Sequence, residues 1–315
     1  MRRIQRLTGS RRAKIAFNVV SIGIAVVVGT LAAIHFSQEG WPLARASIGG
    51  VLGAGALFLL AFGFKAFGWH RLFAPHERPD PMALAAAGGA ASVTGIALPG
   101  RFDEVVRIAV VRRFGSKTGL GTVGLSLILL GLIDSAALTP MAGVAAGVST
   151  STGLFRIGLV VVAVAGVAAA GVVLALPRLA SVDRLVKYRL VRWLQEHCAC
   201  NREASKAWVL VSMSWMLRGA ALLVLFNALG MHASVPLALA FLCASAAAAA
   251  LPIAPAGAAT QAGAGAAILA ATGMSASQAV AFAIAAQALM IVTGAVVVAI
   301  AGLWSAGKRF MPSYA

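Results

Sequence analysis

Acidic residues are scarce in this chain: nine Asp and Glu stand against 26 Lys and Arg, and charged residues make up only 11% of it. Chemistry on a substrate needs positioned acids, bases or metal-binding carboxylates, and Asp103-Glu104 is the one adjacent acidic pair. Cysteine is sparse too: Cys198 and Cys200 form a CxC in a basic stretch, and Cys243 lies in an apolar run. That spacing offers neither a disulfide framework nor a zinc site, so free thiols are expected. His35, His70, His76, His197 and His232 are scattered, and no HExxH, Walker A or GxSxG pattern occurs. No metal, no cofactor and no enzymatic activity are therefore expected. Long polar stretches are missing as well, which argues against a separate soluble domain.

What the chain does have is hydrophobicity, at 60% of residues and a mean hydropathy of +0.91. The apolar stretch 15–36 would cover about 33 Å as a helix, enough for roughly 30 Å of hydrocarbon. The net charge of +17 falls between apolar segments and not on one soluble face. That is the pattern of cytoplasmic loops beside anionic headgroups, and it argues against a nucleic-acid partner. The basic N-terminus (MRRIQRLTGSRRAK) leads into an apolar run longer than the roughly 7–15 residues of a signal peptide, so an uncleaved first span is expected.

Lys and Arg counts beside each apolar segment predict spans near 15–36, 46–68, 118–142, 155–176, 207–230 and 276–303, with both termini cytoplasmic in a multi-pass plasma (inner) membrane protein. Lys65, near one span's end, is expected to snorkel to the headgroups. Segment 82–98 is short and has basic flanks on both sides, which predicts a re-entrant half-helix. The run 236–273 is cut by Pro252 and Pro255 into a hairpin or two short crossings. Residues 101–115 read as a short amphipathic helix, with Asp103 and Arg107 at i,i+4 and Glu104 and Arg107 at i,i+3. Residues 177–206 read as a cytoplasmic amphipathic connector, with Leu179, Val182, Val186, Leu190 and Trp193 on one face. The expected architecture is a single all-α polytopic membrane domain over 1–315, with about 6–8 transmembrane helices. One or two broken or re-entrant hairpins belong to it, and halves near 15–145 and 155–305 are candidates for an inverted repeat.

Two breaks interrupt apolar segments: Pro99-Gly100, followed by Arg101, Asp103, Glu104 and Arg107, and the later Pro252, Pro255 and Gly257 in LPIAPAG. A broken helix at membrane depth must face protein or a polar cavity, and paired breaks point to a transporter's binding site. ALPGRFDEVVRIAVVRR resembles the Pro-x-Arg-x-Gly-Glu-x-x-Arg element of the lysylphosphatidylglycerol synthase transmembrane-region family, a group of flippase-like membrane proteins. Pro99, Arg101, Glu104 and Arg107 match, and Asp103 stands where the family usually has Gly. LPIAPAGAATQAGAGAAIL is similar to that family's Pro-x-x-Pro-Gly-Gly-x-Gly-x-x-Glu element through Pro252, Pro255 and Gly257, with Ala262 at the acid's position and Gln261 beside it as a neutral hydrogen-bonding group. The resemblance implies flipping of a lipid or lipid-linked sugar, without the soluble aminoacyl-transferase domain carried by one branch.

Two charges fall deep in apolar segments, Asp134 and Arg218. Each costs roughly 2.5–3.5 kcal/mol to insert, so they are expected either to pair with each other or to line a cavity. Guanidinium groups match phosphate oxygens bidentately, which makes Arg101, Arg107 and Arg218 candidate ligands for a phosphate-bearing headgroup. Asp103, Glu104, Asp134 and Gln261 complete the candidate site. The leading expectation is a translocase of anionic or phosphate-bearing membrane lipids. A membrane-embedded transferase and a non-transporting scaffold are the alternatives, and a homo-oligomer or a membrane-protein partner stays open.

Overall fold

The computed structural model describes residues 46–95, 102–114, 118–148, 154–180, 201–231, 234–250 and 257–310. Their regular elements are all helical: α1 (Ile48–Arg71), a 3-10 turn (Pro75–Glu77), α2 (Pro81–Thr94), α3 (Phe102–Arg113), α4 (Leu120–Val148), α5 (Leu154–Ala180), α6 (Asn201–Ala228), α7 (Val235–Ala250), α8 (Gly257–Ala271) and α9 (Ala276–Phe310). Five of them (α1, α4, α5, α6 and α9) are long and apolar enough to cross a membrane. Leu52, Ile128, Val164, Met216 and Leu303 stand exposed on these helices, as side chains facing lipid tails would. The protein is a polytopic α-helical membrane protein. The expected span at 15–36 lies outside the described residues.

Local chemistry sets the short elements. Pro81 occupies the first turn of α2, where its missing N–H costs nothing, and Asp80 Oδ1 caps the helix by accepting the Met82 N–H at 2.9 Å. At 14 residues α2 is about 21 Å long, shorter than the hydrocarbon thickness. The helices α7 and α8, of 16 and 15 residues, reach about 24 and 22 Å. Ser245 Oγ donates to the Gln261 carbonyl at 3.1 Å, and four residues back along α7 and four forward along α8 the Phe241 ring covers Gly265. That register makes α7 and α8 an antiparallel hairpin. The short helix expected within 101–115 is α3, with Asp103 and Glu104 in its first turn and Arg112 and Arg113 in its last, both matched to the helix dipole.

Two expected boundaries move. The helix α4 continues through Pro140 to Val148 instead of ending near 142, because neighbouring helices in a bundle can absorb the lost backbone bond. The connector expected at 177–206 is helical at both ends: 177–180 belong to α5 and 201–206 to α6, while 181–200 lie outside the described residues. Glu203 is thus a first-turn residue of a spanning helix, with Lys206 three residues on, and charge holds both there. Glu203 Oε2 accepts from Arg78 at 2.7 Å and Arg71 at 3.2 Å, and its Oε1 accepts from Lys206 at 2.9 Å.

This network fastens the C-terminal end of α1 to the N-terminal end of α6. At the pair's other end Ser47 N donates to Ala228 O at 2.9 Å, and between them Ser214 Oγ donates to Ala61 O at 2.8 Å. The two helices therefore run antiparallel along most of their length. Glycine permits the closest approaches: a Cβ on Gly89 of α2 would lie 2.5 Å from Gly294 O of α9. The neighbour pattern also repeats. The helix α1 packs on α2 as α6 does on α7, α2 on α3 as α7 on α8, and α3 on α4 as α8 on α9. Likewise α2 packs on α9 as α7 on α4, and α4 on α6 as α9 on α1.

The Gly89–Gly294 crossing gives a direct check. Gly89→Ala must force α2 off the backbone of α9 and is expected to cost about 1–3 kcal/mol as overpacking, read as a lowered thermal midpoint in detergent. Gly49→Ala, where an added Cβ meets nothing within 4 Å, should leave that midpoint unchanged or slightly raised.

Candidate functional site

The polar interior of the bundle forms where α1, α4 and α6 meet. Phe62, Lys65 and Trp69 fall at i, i+3 and i+7 on one face of α1, and Trp215 and Arg218 lie one turn apart on α6. The helix α4 contributes Ser126 and Asp134, two turns apart. Trp69 Nε1 donates to Ser126 Oγ at 2.9 Å in a buried contact that clamps α1 to α4. Two turns along α4, Lys65 Nζ contacts Asp134 Oδ2 at 2.8 Å, with 19% and 20% of the two side chains exposed. Trp215 Nε1 donates to the other carboxylate oxygen, Asp134 Oδ1, also at 2.8 Å.

Aromatic faces hold the cations in place. Lys65 Nζ lies 5.4 Å from the Trp215 ring centre, and the Arg218 guanidinium carbon lies 5.0 Å from the same ring and 5.7 Å from Phe62. Within about 6 Å a cation is drawn to the ring's negative face, more strongly when desolvated. From α3, Arg107 is near enough to act electrostatically on both Lys65 and Arg218. Its Nη2 contacts Asp103 Oδ2 at 3.3 Å, while its Nε is buried without a hydrogen-bond partner. Lys65, Arg107 and Arg218 thus gather near the carboxylates of Asp134 and Asp103, with Glu104 beside Asp103 in the same turn. Among the described residues, no three His, Cys, Asp or Glu side chains are arranged to hold a metal ion.

Two expectations about these residues are corrected. Asp134 pairs with Lys65 and not with Arg218: its oxygens take Lys65 Nζ and Trp215 Nε1, while the Arg218 guanidinium lies over the Trp215 and Phe62 rings. Lys65 does not snorkel outward. Helical side chains tilt toward the helix N-terminus, and α1 has His70 and Arg71 at its C-terminal end, so Lys65 leans away from that basic end toward Asp134.

The structure brings Arg107, Asp134 and Arg218 together, with Asp103 attached through Arg107. Glu104 stands beside Asp103 in the first turn of α3, and Gly257 opens α8. Gln261 lies on α8, which packs on α7 and α9, and its backbone carbonyl takes the Ser245 bond. Among the described residues no hydrogen bond or ion pair joins its side chain to the charge cluster. Arg101, Pro99, Gly100, Pro252 and Pro255 lie outside the described residues. Trp215 carries no sequence signal beyond standing one turn before Arg218.

A family model described as the lysylphosphatidylglycerol synthase TM region matches residues 18–306. No curated protein and no solved structure matches the chain. The matched span includes α1, α3, α4 and α6, the helices that supply the charge cluster, and nearly the whole polytopic bundle around them. The chain belongs to the lysylphosphatidylglycerol synthase transmembrane-region family.

Proposed function

We propose that the protein translocates a phosphate-bearing lipid or lipid-linked sugar across the plasma membrane, with the headgroup held by Lys65, Arg107 and Arg218. The observation that carries this reading is a cluster of three cations inside the bundle whose donors are left partly open among the described residues. Arg107 Nε is buried without an acceptor among the described residues. Arg218 rests on two rings and meets no carboxylate within ion-pair distance among the described residues. A cation kept at membrane depth without its own counter-ion is a functional feature by default. Guanidinium and ammonium donors together suit a phosphate.

Family membership supports a lipid-related role in the membrane. The half-length helices α2, α7 and α8, together with the neighbour pattern that repeats between α1–α4 and α6–α9, support two inverted halves around the site. Alternating exposure by rocking one half against the other suits such a plan. No chemistry on the lipid is proposed, since Asp134 and Asp103 both serve as partners of cations. The end of the α1–α6 pair that carries Arg71, Arg78 and Lys206 is assigned to the cytoplasm by the positive-inside rule. Both termini are assigned there with it.

Reconstituted vesicles test the transport reading with a fluorescent anionic phospholipid and an impermeant quencher. The wild type should speed exchange between leaflets. Hydrogen bonds to charged groups contribute roughly 1.5–3 kcal/mol, so Arg218→Gln and Lys65→Gln should each slow exchange about tenfold or more, while Lys206→Gln at the exposed end should not. Equal rates in all four proteins would remove the site.

Orientation has its own check. In a background without Cys198 and Cys200, an impermeant thiol reagent on intact cells should label Ser275→Cys, which lies at the start of α9 near the Phe226–Phe282 stack. Lys206→Cys should react only after permeabilisation, and the reverse pattern would invert the assigned topology.

A further inference from the structure

We infer that Asp134 limits how tightly the site holds its ligand: its carboxylate is a resident competitor that keeps an anionic headgroup exchangeable. This rests on the headgroup reading above and concerns the same site. The ligand chemistry is a phosphate monoanion, as in a phosphodiester headgroup.

Each oxygen of Asp134 has a fixed partner, Lys65 Nζ for Oδ2 and Trp215 Nε1 for Oδ1, both at 2.8 Å. An ammonium has three donors, and Asp134 accepts one of those on Lys65. The other two can turn to a phosphate without the ion pair breaking. Arg218 and Arg107 lie close enough to interact with Lys65, yet neither is within ion-pair distance of Asp134. A phosphate arriving among these cations therefore meets a carboxylate already seated on one of them. That fixed negative charge repels the phosphate as strongly as a cation at equal distance attracts it.

Removing the charge of Asp134 leaves the cluster one unit more positive. A transport site must bind well enough to load and weakly enough to release. Asp134 keeps the first property while preserving the second. The same carboxylate positions Trp215, whose ring faces both Lys65 and Arg218. Asparagine in its place still offers an oxygen to one of the two donors, so Asp134→Asn changes mainly charge. A merely structural ion pair has the opposite consequence, because removing one partner strands Lys65 and weakens both fold and binding.

The experiment compares wild type, Asp134→Asn, Lys65→Gln and the double variant in phosphatidylcholine nanodiscs doped with phosphatidylglycerol. Lipid retention is read by native mass spectrometry, and leaflet exchange is read in vesicles of the same composition. Asp134→Asn should retain about tenfold more phosphatidylglycerol, a modest change beside the Coulomb energy of charges a few ångströms apart, and should exchange it more slowly. The double variant, restored to the wild-type charge balance, should return toward wild-type retention.

Unchanged or weaker binding by Asp134→Asn of both the lipid and a soluble phosphodiester, with a wild type that retains the lipid, overturns this inference and leaves the headgroup reading standing. A wild type with no preference for phosphatidylglycerol over phosphatidylcholine overturns both. Soluble glycerophosphoglycerol, a phosphodiester monoanion, is run as a parallel arm. If it alone binds more tightly to Asp134→Asn, the inference holds with a free phosphodiester as the ligand. Should Asp134→Asn fail to fold, Asp103→Asn removes the other counter-charge from the more exposed pair with Arg107 and must shift retention in the same direction; no increase there overturns the inference.

Discussion

Hydrocarbon tolerates a charge only when the protein supplies what water would have supplied, and the Lys65–Asp134 contact is where this bundle does so. The ion pair joins α1 to α4, and the Trp215 indole extends it to α6 through the second carboxylate oxygen. Three helices thus share one carboxylate. The buried Trp69–Ser126 bond fixes the α1–α4 alignment beside it, and the Glu203 network fastens α1 to α6 at their basic end. Polar contacts of this kind set register where helix packing in lipid lacks a hydrophobic drive of its own.

Small residues do the complementary work. Where Gly89 meets Gly294, and where Gly166 meets the Ser135 carbonyl and the Thr139 hydroxyl of α4, the helices come closer than a side chain on the glycine would allow. Close approach supplies van der Waals contact where lipid tails are as apolar as Leu. It also lets half-length helices such as α2 and α8 sit inside a bundle of full-length ones. The aromatic groups are spent differently: Phe226, Phe282 and Phe241 stack where α6, α9 and α7 meet, and Phe241 covers Gly265 of α8. Trp215 and Phe62 face cations instead.

The cluster's chemistry follows from how its charges are divided. One carboxylate is bound on both oxygens, one arginine is held by rings, and another keeps a buried Nε without a partner. A core built only for stability would pair every charge, since an unpaired one carries the full desolvation penalty. The open donors belong to guanidinium and ammonium groups, whose chemistry matches a phosphate.

Much of this was legible in the sequence. Apolar lengths and the spread of Lys and Arg established a polytopic α-helical membrane protein, and the Pro-containing breaks marked where short helices would occur. The Asp103–Arg107 pair followed from i,i+4 spacing on α3, because local geometry alone brings those side chains together. The family membership was readable in the Pro99–Arg107 element and its later counterpart. The partner of Asp134 was not readable. Lys65, Arg218 and Trp215 lie 69, 84 and 81 positions from it in sequence, and no local periodicity ranks a lysine near one helix end above an arginine at the middle of another. That choice was made by the packing of both α1 and α4 on α6, which decides which side chains meet between them, and by the tilt of helical side chains toward the N-terminus. Sequence determined that charges would be buried in the membrane; tertiary packing decided which of them neutralise each other and which stay open.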